Sequence, residues 1–456
     1  MRSYTGKKVL IVGLARSGVA AAALLAQRGA LVTANDSKSA DELGEALSPL
    51  KGLPVTLRLG CAAMDCLDGQ EALVLSPGIP DTAPFVRAAR ERGIYVLGEI
   101  ELASQLCEGE LIAVTGTNGK TTTTTLTHEI FKAAGRVSHA VGNIGDPFSA
   151  AVREGGRGEV FVCECSSFQM ETVDTFHPRA AAFLNLTEDH LNRHGTMAEY
   201  ARLKMRVFEN QTAGDFAIFN ADDPALSAFP AKVNSHVLLF SRRREVSEGA
   251  FVRSGRVVFR LDGQDKDICR TEEIYIPGPH NLENALAAVC LTAPLGVAPE
   301  VIADTLRTFR GVEHRIEFVR DVRGVRYIND SKGTNVDSTI RAVQTMNRPT
   351  VIILGGSDKH CDFTPLAEEM LRSPFLREAV LIGVTADQIE RTLLACGWPK
   401  EKIHREKDFP SAVARCQALA QEGWNALLSP ACASFDMFHD YEERGRIFKQ
   451  LVHELK

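Results

Sequence analysis

What this 456-residue chain lacks narrows it first. Its eleven cysteines are an odd number and none are spaced C-x-x-C, so the common signatures of structural zinc and thioredoxin-type redox chemistry are absent. No apolar stretch approaches the length of a membrane span. The opening Met1-Arg2-Ser3-Tyr4 leads almost at once into a strand-like run, which is not how a secretory signal reads. There is no excess of positive charge either. The net charge is −6, which gives no reason to expect nucleic acid or a membrane surface as partner. A phosphate-rich ligand stays compatible, because a local cradle works inside an acidic protein. Cys163 and Cys165 flank Glu164 in a strand-like run, on one face, and read as small buried hydrophobes. These features together point to a reducing, cytoplasmic compartment.

The length calls for two to four domains, and 45% apolar with 24% charged residues is ordinary globular composition. The most informative stretch is Leu111-Ile112-Ala113-Val114-Thr115-Gly116-Thr117-Asn118-Gly119-Lys120-Thr121-Thr122. An apolar strand ends at a glycine-rich turn that opens a helical pattern through Leu126, Ile130 and Phe131. Such a turn curls backbone N–H groups around an anion, with the positive helix end behind it. Lys120 is then placed to reach the β/γ-phosphates of ATP, and the Thr121 hydroxyl to ligate Mg²⁺. The usual pattern has a glycine where this chain has Val114. It is a P-loop variant.

Upstream, Lys8–Val12 runs into Gly13-Leu14-Ala15-Arg16-Ser17-Gly18, followed by an alanine-rich helix over Val19–Gln27 and a strand over Ala30–Ala34 that ends at Asn35-Asp36-Ser37. This βαβ unit is Rossmann-like, but Ala15 stands where the middle glycine of G-x-G-x-x-G belongs. A nucleoside diphosphate fits that turn better than a nicotinamide dinucleotide. The strand Ala72–Leu75 brings Ser76, Pro77 and Gly78 to the same sheet edge.

Downstream, one strand after another ends in polar groups. The run Glu159–Cys165 delivers Glu164, a place for a second Mg²⁺ ligand, and a cation must face that carboxylate if it is buried. The strand Ala180–Leu186 delivers Thr187-Glu188-Asp189-His190, and Gly324–Ile328 delivers Asn329-Asp330-Ser331-Lys332-Gly333-Thr334-Asn335. Val351–Leu354 leads to Lys359, which suits an amino-acid carboxylate, and Ala426–Leu428 leads to Ser434 and Phe435. Lys204, in a helix expected over Met197–Glu209, reads from pattern alone as a solvated lysine.

In their order, Gly116–Thr121, Glu164 before Ser166-Ser167-Phe168-Gln169, Thr187–His190, Gly278-Pro279-His280-Asn281-Leu282-Glu283-Asn284 and Glu313-His314-Arg315 resemble the Mur ligase family over nearly the whole chain. The N-terminal turn and Ser429-Pro430-Ala431-Cys432-Ala433-Ser434-Phe435-Asp436 point to the member type that adds D-glutamate, and no Asp-Asn-Pro-Arg segment of the diamino-acid-adding relatives is found. The resemblance implies an α/β protein of three domains: a Rossmann-like nucleotide domain (1–98), a central P-loop ATPase domain (99–311) and a C-terminal Rossmann-like domain (312–456). It implies ATP-dependent ligation of D-glutamate to UDP-N-acetylmuramoyl-L-alanine in peptidoglycan precursor synthesis, through an acyl phosphate, by a monomer.

The residue roles it implies are as follows. Gly116, Thr117, Asn118, Gly119, Lys120, Thr121 and Thr122, with Asn281, Arg315 and Asp330, contact ATP. Thr121, Glu164, His190 and a carbamylated Lys204 hold two Mg²⁺. Leu14, Ala15, Arg16, Asp36, Ser37, Ser76, Pro77, Gly78 and Asn143 meet the UDP-sugar. Lys332, Thr334, Lys359, Ser434, Phe435 and Tyr441 surround D-glutamate. ATP is then expected between the central and C-terminal domains, with hinge closure completing the site. Two other classes remain at this point. A nicotinamide-dependent oxidoreductase leaves the P-loop unexplained, and a nucleotide-switched binding protein has no need of the polar strand ends.

Overall fold

The computed structural model describes residues 3–357 and 361–455. Three sheets carry the chain. The first has the order β3-β2-β1-β4-β5, with β1 Lys8–Val12, β2 Leu31–Asp36, β3 Val55–Leu59, β4 Ala72–Leu75 and β5 Tyr95–Gly98. All its pairings are parallel. The residues of β4 are buried throughout, as are all but Lys8 in β1. Continuous apolar runs are what a strand covered on both faces needs.

The second sheet has the order β14-β13-β12-β11-β10-β9-β6-β8-β7. Its parallel part is β6 Glu110–Thr115, β7 Ser138–Gly142, β8 Val160–Glu164, β9 Ala180–Phe183, β10 Phe216–Asn220 and β11 His236–Ser241. Strands β12 Gly249–Arg253, β13 Arg256–Leu261 and β14 Gln264–Arg270 extend it as antiparallel hairpins. Their turns are Ser254-Gly255 and Asp262-Gly263, with φ positive at all four residues, the geometry whose twist matches paired strands. The third sheet has the order β15-β16-β20-β17-β18-β19: β15 Glu317–Val322, β16 Val325–Asn329, β17 Thr350–Gly355, β18 Leu376–Ile382, β19 Ile403–Arg405 and β20 Asn425–Leu428. Only β15 is antiparallel to its neighbour.

The chain divides into two compact units, Met1–Tyr275 with Asn281–Phe309, and Ile276–His280 with Arg310–Lys456. The first unit holds two sheets, and the helix Glu99–Leu106 ties them together. Its Glu101, fully buried, accepts hydrogen bonds from Gln105 Nε2 (2.6 Å), the Asp174, Thr175 and Phe176 backbone N–H groups (3.0, 2.8 and 3.1 Å) and Thr175 Oγ1 (2.6 Å). Glu99, also buried, accepts from the Ser149 N–H at 2.6 Å.

Several elements differ in extent from the sequence reading. The first helix is Arg16–Gln27 and starts directly from the glycine turn, and β2 runs on to Asp36 because Asn35 and Asp36 pair with Arg58 and Leu59 of β3. Strand β9 stops at Phe183, the last rung against β6 being Leu184 N–H to the Thr115 carbonyl (3.0 Å). The helix expected to reach Glu209 is α-helical over Met197–Met205 and tightens to a 3₁₀ turn over Arg206–Phe208.

Removing the Glu101 carboxylate takes the acceptor from two buried donors, Gln105 Nε2 and Phe176 N–H, at about 1–3 kcal/mol each, and from three part-buried ones. Glu101→Ala is therefore expected to lower unfolding free energy by about 3 kcal/mol or more, read as a fall in the denaturant midpoint. An unchanged midpoint would refute the clamp.

Candidate active site

Parallel strands deliver their following loops to one sheet edge, where α/β folds bind ligands. In the first sheet that edge carries Leu14, Ala15, Arg16, Asp36, Ser37, Ser76, Pro77 and Gly78, all in or beside the segments after β1, β2 and β4. A Cβ on Gly18 would lie 1.8 Å from the Gly13 carbonyl oxygen, so the turn closes tightly without a middle glycine. Ser76 Oγ donates to the same carbonyl (2.7 Å). Asp36 accepts from Leu14 N–H (2.7 Å) and Lys38 N–H (3.0 Å). That carboxylate holds the turn.

The P-loop forms as the sequence predicts, between β6 and the helix Lys120–Ala133. Gly119 is the N-cap at φ +85°, and a Cβ there would meet Asn284 Oδ1 at 2.3 Å. Lys120 Nζ donates to the carbonyls of Gly116 (3.0 Å) and Thr117 (2.8 Å). Lys204 Nζ donates to the same Gly116 oxygen at 2.6 Å. Against the pattern reading, Lys204 is not solvated: it is 1% exposed, with Nζ 4.5 Å from the Tyr200 ring centroid. Burial, and then the neighbouring Lys120 charge, push its ammonium well below the usual lysine range.

Glu164 ends β8 and is buried. Its Oε1 accepts from Asn143 Nδ2 (2.9 Å), while Oε2 is buried without a hydrogen-bond partner. Asn143 thus sits with Glu164. From the first sheet's loops, Arg16 Nη2 donates to the Gly145 carbonyl (2.8 Å), two residues beyond Asn143. His190 occupies the left-handed region at φ 55°, with its ring beside Asp189 (3.5 Å) and edge-on to Phe168 (4.9 Å). Asn281 and Asn284 are buried on the helix Pro279–Thr292 and bond to each other at 3.1 Å, and Thr123 Oγ1 donates to Asn284 (3.3 Å). Thr117, Asn118, Thr121 and Thr122 are buried around the loop.

In the second unit the loops after β16 and β20 converge. Asp330, 1% exposed, accepts from Ser429 Oγ (2.7 Å) and Ile316 N–H (3.2 Å). Burial raises its carboxyl to about 6, against the opposing pull of Arg315. Arg315 itself lies between two residues held at positive φ, His314 (64°) and Ile316 (48°). For a β-branched residue that backbone is strained, of order 1–3 kcal/mol. Lys332 Nζ lies 5.4 Å from the Tyr441 ring centroid, Ser434 is buried, and Thr334 follows on the same turn. Phe435 differs from these. Its side chain is largely in solvent. Lys359 lies outside the described residues.

Three family models match in sequence order: the Mur ligase MurD-like N-terminal domain over residues 7–98, the Mur ligase middle domain over 114–292 and the Mur ligase glutamate ligase domain over 314–432. The chain belongs to the Mur ligase family. It is 46% identical to the UDP-N-acetylmuramoylalanine–D-glutamate ligase of Pelotomaculum thermopropionicum, over 100% of this chain and 99% of the relative. It is 42% identical to the ligase of the same name from Clostridioides difficile, over 99% of both. In fold it resembles the UDP-N-acetylmuramate–alanine ligase of Thermotoga maritima (TM-score 0.61, 18% identity, 98% of this chain and 99% of that one) and a pseudomurein peptide ligase type C of Methanothermus fervidus (0.61, 16%, 99% and 100%). The architecture is accordingly that of a Mur ligase, three α/β domains with largely parallel sheets.

Two supports of this Mur ligase site escaped the sequence reading. Asn185 brackets the P-loop, accepting from Asn118 N–H (2.8 Å) and donating to the Asn118 carbonyl (2.9 Å). Arg444, fully buried, donates to Ser331 Oγ and the carbonyls of Ser331, Cys432 and Ala433, joining the loops after β16 and β20. On the helix Tyr441–Glu454 it looks like one more surface arginine. The available signal was Gly445 in mid-helix, where a Cβ would meet His314 Nδ1 at 2.2 Å.

Because the Asp330 carboxyl is raised in the folded state, folding favours its protonated form, and that stability is lost as pH climbs from about 4 through about 6. Relative to Asp330→Asn, the native protein should lose up to about 3 kcal/mol between pH 4 and pH 7. Denaturant melts of both proteins across that range check this. A constant difference would contradict it.

Proposed function

We propose that this chain joins D-glutamate to UDP-N-acetylmuramoyl-L-alanine, consuming ATP and releasing ADP and phosphate. The observation that carries the reading is a full-length relative of that name at 46% identity, supported by a P-loop with two buried or half-buried lysines on the Gly116 carbonyl. A carboxylate does not acylate an amine directly, because oxide is a poor leaving group; phosphorylation by ATP supplies a good one. Lys120 and the N–H groups of 116–122 stabilise the charge of the phosphoryl group in transfer. The carboxylate of the muramoyl-alanine attacks the γ-phosphorus, and the D-glutamate amine then attacks the acyl phosphate, expelling phosphate.

In this reading Thr121, Glu164, His190 and a carbamylated Lys204 hold two Mg²⁺, which supply neutralising charge to the triphosphate when bound. The chain's own donors suit that role in part. Glu164 Oε2 is a buried, unpartnered carboxylate oxygen, which a hard cation satisfies. Among the described residues no three histidine, cysteine or carboxylate groups form a cage, in keeping with an ion that takes further ligands from phosphate and water. Carbamylation would replace a buried ammonium by an anion, and the burial of Lys204 supports it. Asn281, Arg315 and Asp330 serve the nucleotide. The first sheet's edge residues with Asn143 take the UDP-sugar. Lys332, Thr334, Lys359, Ser434, Phe435 and Tyr441 take D-glutamate. The working units are 1–98, 99–311 and 312–456, in a cytoplasmic monomer.

Phosphate release assayed with each amino acid should require both the sugar nucleotide and D-glutamate, and carboxylate ¹⁸O should appear in the released phosphate. Turnover without transfer of the label would discard the acyl phosphate. Lys204→Ala should lose at least about a hundredfold in kcat, of order 3 kcal/mol, with partial recovery on adding short carboxylic acids. Full activity in that variant would refute its role.

A further inference from the structure

Cys61 and Cys66 lie in the segment between β3 and β4, at the edge of the first sheet that carries Asp36. Cys66 ends a 3₁₀ turn, Ala63–Cys66, and is buried, whereas Cys61 is half-exposed. The Cys61 thiol is near enough to act on the ionisation of the Cys66 thiol, Cys66 Sγ donates to the Ala62 carbonyl (3.9 Å), and both cysteines pack on the same apolar cluster under this edge. A second contact links the pair to the glycine turn. Asn35, 1% exposed, donates to the Arg58 carbonyl (2.8 Å), the Cys61 carbonyl (3.1 Å) and Cys61 Sγ (3.5 Å). The next residue, Asp36, holds Leu14 N–H through its side chain and Gly60 N–H through its carbonyl. Among the described residues nothing joins the two thiols to make a metal site.

We infer that Cys61 and Cys66 are a redox modification site, closing to a reversible disulfide that loosens the first glycine turn. The oxidant is a low-molecular-weight disulfide. The Cys61 thiolate attacks one of its sulfurs, forming a mixed disulfide and expelling one small thiolate. The Cys66 thiolate then attacks the Cys61 sulfur, closing the protein disulfide and expelling the second. Two protein thiols are oxidised, one small disulfide is reduced to two thiols, and the two protons leave with them. The order follows access, Cys61 being the exposed partner. Burial, then Cys61 itself, hold the Cys66 thiol above its ordinary range, which keeps it from being the first of the two to attack. Once in a disulfide, the Cys61 sulfur is a poorer acceptor for Asn35 and the segment 60–66 must shift around Asp36.

The effect on sugar-nucleotide binding rests on the function proposed above; the bond itself does not. Full-length protein equilibrated with mixtures of oxidised and reduced glutathione, alkylated and digested, should yield a peptide carrying a 61–66 disulfide, two hydrogens lighter and restored by dithiothreitol. Cys66→Ser should instead retain glutathione on Cys61. The oxidised enzyme should show at least a threefold higher KM for UDP-N-acetylmuramoyl-L-alanine, with KM for ATP changed less than twofold. Free, alkylated Cys61 and Cys66 throughout, or a stable glutathione adduct on Cys61 of the unsubstituted protein, would overturn the site. A disulfide with unchanged KM would overturn its action on the turn. Absence of ligase activity in reduced and oxidised protein alike would count against the function alone, since the bond is read by mass.

Discussion

Two lysine ammonium groups share one carbonyl oxygen, that of Gly116, and the neighbouring protein depends on how that concentration of positive charge is answered. Lys204 is sealed from water and Lys120 caps its own loop. A neutral carbonyl is a weak answer to that charge in a low-dielectric setting, and burial with the Lys120 charge accordingly pushes the Lys204 ammonium well below the usual lysine range. The arrangement is complementary to an anion arriving from outside, and polyphosphate is the anion a P-loop accepts. Across β6 and β8 the sign reverses, with the buried Glu164 oxygen lacking a donor. A carboxylate oxygen buried without a donor is what a hard cation would satisfy.

The scaffold's part is to hold these groups where water cannot relax them. Parallel strands release their loops at a common edge, and each sheet here has polar loops at that edge, drawn from Asp36 and Ser76, from Glu164 and His190, and from Asp330 and Ser434. Fixing them takes a ring of residues that touch no ligand in the proposed reaction. Asn185 braces the P-loop from both sides of one peptide group, and Arg444 joins two loops from beneath. Arg315 gains its orientation from backbone held in the left-handed region on either side, strain that a surrounding fold must over-determine to persist.

Much of this could be read from the amino acids, because the informative residues sit at places with their own local rules. A glycine-rich turn between an apolar strand and a helix, or an acid at a strand end, carries its meaning in adjacent residues. Lys204 shows where that fails. Its own helix does not announce the burial: Tyr200, one turn earlier, reads as an ordinary helix neighbour, and the Gly116 carbonyl that holds the ammonium is brought in by the tertiary fold. Arg444 fails for the same reason, though Gly445 was an oddity worth asking about. The antiparallel extension of the central sheet was a different omission. Ser254-Gly255 and Asp262-Gly263 between alternating strands are ordinary hairpin signals, legible in the amino acids alone.

The helix Glu99–Leu106 has an implication for taking the molecule apart. Its first residue follows Gly98, where the N-terminal family match ends, yet its acids are anchored in the segments at Ser149 and 174–176. It is less a connector than a shared keystone. A fragment ending before it would bare the apolar floor of the first sheet, and one ending after it would carry two carboxylates shaped for partners left behind. Neither cut respects the grain of the structure. Isolating the N-terminal sheet as a separate piece would therefore call for redesigning Glu99 and Glu101, not merely for choosing where to stop.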